Sequence, residues 1–156
     1  MSVKIIEQTE LSDEEKSRII EMWNAEYPSD IAHPGIPSFN EYLSKVTDRK
    51  HFLLIDESQK IVGWAMMFVR DDAKWFVIIV DGKFQGKGFG IKLLDALKAA
   101  ENHFFGWVIN NDNYKKANSE NYRSPLGFYK KIGFVVHENE KLIKENISGV
   151  KIEWNA

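Results

Sequence analysis

Cysteine is absent from the 156 residues, which removes a disulfide framework, a thiolate nucleophile and any cysteine-ligated zinc site together. Long apolar runs are absent too. None exceeds six residues, the length of Trp75–Val80, and the opening MSVKIIEQTELSDEE has nothing like a signal peptide. Neither sign of charge dominates: 21 Lys and Arg stand against 23 Asp and Glu, for a formal net charge of −2. The basic residues are spread along the chain, so the footprint of a nucleic-acid binder is missing. Four histidines, His33, His51, His103 and His137, lack the paired spacing of a metal site. The expectation is a cytoplasmic protein with no metal, no nucleic-acid partner and no membrane association.

What is present is ordinary globular usage, 44% apolar and 28% charged, enough for one compact domain over residues 1–156 with a real core. No repeat, linker or low-complexity tract divides the chain. Val3–Ile6 reads as a first strand. Ser12 and Glu15 have capping-box spacing, and Ile19, Trp23 and Tyr27 follow at four-residue steps, which predicts a helix ending before Pro28. Ser38 and Glu41 repeat the cap spacing ahead of a shorter helix that buries Phe39, Tyr42, Leu43 and Val46. Between the helices the loop Pro28–Pro37 carries three of the four prolines.

Strands at 51–55, 61–69 and 75–80, parted by turn-prone segments, read as an antiparallel meander. Ile91, Leu93, Leu94, Leu97 and Ala100 then show a helical period to about Asn102, and Phe104–Ile109 reads as a fifth strand. Asn110–Arg123, with five asparagines, is a loop. Ser124 and Pro125 open a short helix as N-cap and first residue, and Gly133 sits just past its end. Residues 134–136, 141–143 and 150–154 close the fold as strands.

The chemistry starts where WFVIIV runs into Gln85-Gly86-Lys87-Gly88-Phe89-Gly90 and a helix follows directly. Unpaired N–H groups at a helix start, with the positive end of its dipole, make a phosphate site, and glycines let the ligand come close to the backbone. A dinucleotide fingerprint is excluded because Ile91 stands where its third glycine belongs, and a P-loop because no Gly-Lys-Ser or Gly-Lys-Thr follows. A diphosphate ligand outside the NAD and ATP classes remains, as does a plain strand-to-helix connection.

VDGKFQGKGFG followed by IKLL resembles motif A of the GNAT superfamily of N-acetyltransferases, with Gln85, Gly88 and Gly90 filling the Q/R-x-x-G-x-G/A core. GFYKKIGF, with Tyr129, is similar to the family's aromatic-Tyr-x-x-x-Gly-Phe segment. The resemblance spans about residues 3 to 154. It implies an α+β fold with a mostly antiparallel sheet of six to seven strands flanked by about four helices. It also implies acetyl-CoA as co-substrate, held by the backbone of Gln85, Gly86, Lys87, Gly88, Phe89 and Gly90 and by the strand end Ile78, Ile79 and Val80. An amine acceptor on a small molecule, peptide or protein follows, and a homodimer stays open.

Acetyl transfer needs a neutral amine, a site for the oxyanion and a proton for the leaving thiolate. The resemblance assigns the proton to Tyr129 and the oxyanion to the N–H near Val80. A phenol of pKa near 10 lies ~1.5 units above an alkyl thiol, so donation costs ~2 kcal/mol. Trp75–Val80 lacks the glutamate that many relatives place on this strand, and Glu26, Asp71, Asp72 and Asp112 are candidate bases without an assignment. Tyr122 replaces the asparagine many relatives carry seven residues before the tyrosine. The alternative function is a non-catalytic acyl-CoA-binding module. Lys87 is either a phosphate contact or a solvated lysine, the tryptophans either core or pocket wall, and Pro28–Pro37 either an acceptor-side loop or an idle one.

Overall fold

Ser12 accepts the Glu15 N–H at 3.1 Å while Glu15 accepts the Ser12 N–H at 2.7 Å, so the capping box forms and starts α1 (Asp13–Glu26). The computed structural model describes residues 2–144 and 146–156. Strands β1 (Val3–Gln8), β2 (Thr47–Asp56), β3 (Ile61–Arg70) and β4 (Ala73–Val80) pair in sequence as the antiparallel meander. Then β5 (His103–Ile109) joins β7 (Ile147–Asn155), which pairs with β6 (Val135–Lys144), giving one sheet in the order β1-β2-β3-β4-β5-β7-β6. The expected mostly antiparallel sheet of six to seven strands with about four helices forms, with seven strands and four α-helices among the described residues.

Alternation along the strands divides the core in two. Trp64, Met66, Phe68, Trp75 and Ile79 face α1 and α2 (Ile36–Ser44). Phe52, Leu54, Ala65, Met67 and Phe76 face α3 (Phe89–Ala100) and α4 (Leu126–Lys131). The α3 side chains Leu93, Leu94 and Leu97 are at most 1% exposed, so this helix is held by burial along one stripe.

Four readings from sequence change. The second helix begins at Ile36 with Gly35 at its N-cap, because Pro37 suits the first turn, and Ser38 hydrogen-bonds His33 Nδ1 at 2.7 Å in place of capping. Ile91 and Ala100 are exposed, and the third helix ends at Ala100. Residues 134–136 and 141–143 do not form two strands; β6 is continuous, with an irregular register between His137 and Lys141 that breaks its alternation. Pro125 takes the N-cap position of α4, yet Ser124 still serves the helix start, since its hydroxyl accepts the Leu126 N–H at 3.2 Å and donates to the Ile109 carbonyl.

Two features position the site. The parallel neighbours β4 and β5 share one aligned position, Trp75 with Phe105, and part beyond it. At the other end of α4, Gly133 has φ +99°; its N–H donates to Lys130 and that of Phe134 to Tyr129, a Schellman closure that fixes Tyr129 one turn from the helix end.

Candidate active site

The polarity of the open edge follows from register. Asp81 N–H donates to the Val62 carbonyl at 2.9 Å, so with strand alternation Ile79 and Val77 turn their backbone groups to β3, and Ile78 and Val80 turn theirs to the β5 side. Both carbonyls there are already engaged. The Tyr27 hydroxyl donates to Ile78 O at 3.3 Å and the Gln85 side-chain amide to Val80 O at 2.9 Å. Burial first, then the neighbouring phenols of Tyr122, Tyr129 and Tyr42, pushes the Tyr27 hydroxyl well above its ordinary value, which keeps it a donor. The edge that remains presents N–H groups.

At the end of β4, Asp81 caps the short 3-10 turn Gly82–Phe84 by accepting the Lys83 N–H at 3.0 Å, and it pairs with Arg18 of α1. Burial raises the Asp81 carboxyl, but the hydrogen bonds from Arg18 and Lys83 outweigh it and hold the group below its usual range. Glu26, at the end of α1, accepts the Gly82 N–H at 2.9 Å and the Gln85 amide at 3.2 Å, and meets Lys116 at 3.6 Å. Arg18 and Glu26 thus anchor the turn from the neighbouring helix.

The turn itself is rich in donors. The first backbone bond of α3 is Lys92 N–H to Gly88 O, and the six N–H groups from Gly86 to Ile91 meet no acceptor among the described residues. Gly86 and Gly88 have φ of +77° and +81°. A Cβ placed at Gly90 meets no atom within 4 Å, and its φ is not left-handed, so nothing in the protein itself demands glycine there. Six unpaired donors, a helix N-terminus and a backbone open to approach fit a diphosphate.

A cavity of about 1070 Å³ continues from the turn through the β4–β5 opening to Trp23, Tyr42 and Trp75. Ile78, Ile79, Val80, Gln85, Gly86, Gly88, Phe89, Gly90 and Tyr129 all line it. Lys87 does not, its Nζ lying 5.8 Å from the centre of the Phe84 ring. The Phe89 ring is buried among Leu93 and Leu94, which leaves its N–H as the group facing the turn. Tyr129 packs edge-on against Phe76 at 5.9 Å and Phe134 at 5.1 Å. Its pKa does not stay near 10: burial, and secondarily Tyr122, push it well above.

A family model described as the acetyltransferase (GNAT) domain matches residues 48–136, more than half of the chain and including the glycine turn and Tyr129. The chain belongs to the GNAT acetyltransferase family. It is an acetyl-CoA-dependent acyltransferase, with an amine as the acceptor. The fold agrees. An acetyltransferase of the GNAT family from Staphylococcus aureus aligns at 17% identity and TM-score 0.67, covering 99% of both chains. A GNAT superfamily phosphinothricin acetyltransferase from Sinorhizobium meliloti, solved with AcCoA, aligns at 13% and 0.66 over 98% of this chain and 88% of that one. A spermidine/spermine N-acetyltransferase from Vibrio cholerae aligns at 15% and 0.63 over 97% and 93%. No curated protein matches the chain by sequence. Among the described residues no helix is long and apolar enough to cross a membrane.

In this GNAT chain the carboxylates weighed as bases are placed unfavourably for that work. Asp71 and Asp72 form the β3–β4 turn outside the cavity lining, and Asp112 accepts the Ser124 N–H at 2.7 Å. Glu26 is engaged as described. In the sequence Tyr27 stands out only as part of the apolar stripe of α1, and Asp81 and Arg18 not at all, because the residues they meet lie more than 50 positions away along the chain. Trp23, Trp75 and Trp107 turn out to be both core and cavity wall.

Proposed function

We propose that residues 1–156 work as one N-acetyltransferase domain in which a primary amine attacks the thioester of acetyl-CoA directly. The observation that carries this reading is the run of six unpaired N–H groups beside a sheet edge whose carbonyls are plugged and whose donors are free. The backbone N–H groups of Gly86 to Ile91 take the diphosphate, while Gln85, whose own N–H donates to the Gly82 carbonyl, braces the turn and Lys87 is able to swing its charge toward the ligand. Ile78 and Val80 align the pantetheine arm through their edge-facing groups, while Ile79 shapes the wall between them. The Val80 N–H faces the thioester oxygen and stabilises the charge that grows there.

Tyr129 serves as a neutral hydrogen-bond donor to the departing sulfur. Its raised pKa makes full proton transfer costlier than the ~2 kcal/mol of an unperturbed phenol, but the same burial raises the thiol, which narrows the gap again. Of the cavity-lining carboxylates Glu26 is engaged by the turn, and Asp30 and Glu41 stand on the α1–α2 side, so the amine arrives neutral or sheds its proton to water. An amine of pKa near 10 is about 0.1% neutral at pH 7, a ~4 kcal/mol handicap that desolvation against aromatic walls reduces.

Calorimetric titration with acetyl-CoA, followed by CoA release across a panel of primary amines, tests the reading. Binding in the micromolar range with amine-dependent release is expected. Tight binding without release from any amine would leave an acyl-CoA-binding module instead.

A further inference from the structure

Arg70 ends β3 on the face that α1 and α2 cover, where it helps line the cavity. Its guanidinium carbon lies 4.7 Å from the centre of the Trp75 ring and 5.6 Å from that of Phe68. The platform is itself pinned, because Trp75 Nε1 donates to the Arg70 carbonyl at 3.1 Å. Among the described residues no carboxylate pairs with Arg70. The other cavity charges partly cancel: Glu26 meets Lys116 at 3.6 Å and Glu41 meets Lys45 at 4.0 Å. What is left is Asp30 against Arg70, Arg123 and Lys144, a wall of net positive charge. A half-buried guanidinium stacked on aromatics has lost water and keeps donors free in a fork that matches a carboxylate.

We propose that the acceptor is an amine that also carries a carboxylate, and that Arg70 on its Trp75–Phe68 platform binds that carboxylate and selects against polyamines and plain alkylamines. Tyr42 lines the same cavity and keeps its hydroxyl protonated as a donor: burial lifts its pKa to about 12 while the charge of Arg70 pulls the other way. Trp75 precedes Ile78 by three residues and Val80 by five, about 10 and about 17 Å along the strand, so the amine and the carboxylate sit several bonds apart and not on one carbon. The inference rests on the proposed acetyl transfer.

Three acceptors of matched length separate the possibilities: ε-aminocaproate, hexamethylenediamine and hexylamine. With the wild type, kcat/KM is expected to be highest for ε-aminocaproate. Arg70→Met keeps an apolar side chain on the platform and should lower kcat/KM for ε-aminocaproate about tenfold to hundredfold while leaving hexylamine nearly unchanged. Arg70→Lys should restore part of the loss. A preference for the diamine, or equal losses on all three acceptors, overturns the inference while leaving the transferase reading intact. Calorimetric titration of ε-aminocaproate into the CoA-bound protein reads Arg70 without turnover, and equal affinity for wild type and Arg70→Met also overturns it. Failure to bind acetyl-CoA or release CoA would instead count against the transferase reading.

Discussion

Gly90 separates a ligand site from a structural turn, since the protein has no steric use for a missing side chain there. It lies in the first turn of α3, where leucine is the better helix former, so Gly90→Leu should stabilise the free protein by about 0.4–1 kcal/mol. The melting temperature should rise by roughly 1–4 °C. Binding should move the other way. The motif admits alanine here, so bulk beyond Cβ is needed: an isobutyl group above the N–H groups of Gly90 and Ile91 keeps a diphosphate from closing on them, and the lost charge-assisted bonds should weaken acetyl-CoA about a hundredfold. At a ligand concentration of 100 times the wild-type Kd, the stabilisation by acetyl-CoA should then fall from about 2.7 kcal/mol to about 0.4 kcal/mol. Thermal melts with and without acetyl-CoA read both signs in one assay, and calorimetry gives Kd directly. Gly88→Ala is the contrast: at φ +81° an alanine is strained by about 1–2 kcal/mol, so that variant should lose stability as well as affinity. If Gly90→Leu binds acetyl-CoA as tightly as the wild type, the ligand does not approach this backbone and the glycine turn is only a connection.

Tyr129→Phe should lower kcat about a hundredfold with acetyl-CoA affinity nearly unchanged, because the ring packing against Phe76 and Phe134 survives; undiminished kcat removes the hydroxyl from the reaction. The logarithm of kcat/KM should climb with unit slope from neutral pH toward an amine pKa of about 10, without a fall from Tyr129, whose ionisation lies higher still; a plateau near neutrality would reveal a base among the side chains. His51 is 1% exposed, its Nδ1 accepts the Trp64 Nε1–H at 3.1 Å, and burial first, then Arg49, lowers its pKa to about 4. The unfolded chain binds this proton from about pH 6.5 downward and the folded one only near 4, so stability should fall through that window by up to about 3 kcal/mol. Urea unfolding at stepped pH measures it, and His51→Gln should flatten that stretch of the curve if the assignment is right.

The sequence carries the local half of this design well. Ser12 with Glu15 and Gly133 are contiguous signals, each satisfied by bonds within a few residues, and the glycine turn opens α3 where expected although its anchors, Arg18 and Glu26, come from α1. Ile91 misled because its spacing fits the buried stripe of α3 while its position, in the turn facing the opening, leaves it 44% exposed. The break in β6 was read as two strands for a similar reason: its alternation slips between His137 and Lys141. Arg70, Tyr27 and Arg18 were invisible as a group since only the register of β3 on β4 and the lie of α1 across them bring their partners near.

Why the opening lies between β4 and β5 follows from how each strand is held. β4 is paired along its whole length with β3, and β5 along its whole length with β7, so either can leave the other without losing its own ladder. A Cβ at Gly106 would lie 2.5 Å from the Phe76 ring, which shows how closely the two strands are locked just beside their one aligned pair. Past that lock the unpaired edge would be costly if it were buried with both donors and acceptors unmet. Tyr27 and Gln85 meet the acceptors and leave the donors, and the glycine turn extends that row of donors by six more. An edge of this polarity suits a ligand rich in carbonyl and phosphoryl oxygens, and would repel nothing but a second donor-rich strand.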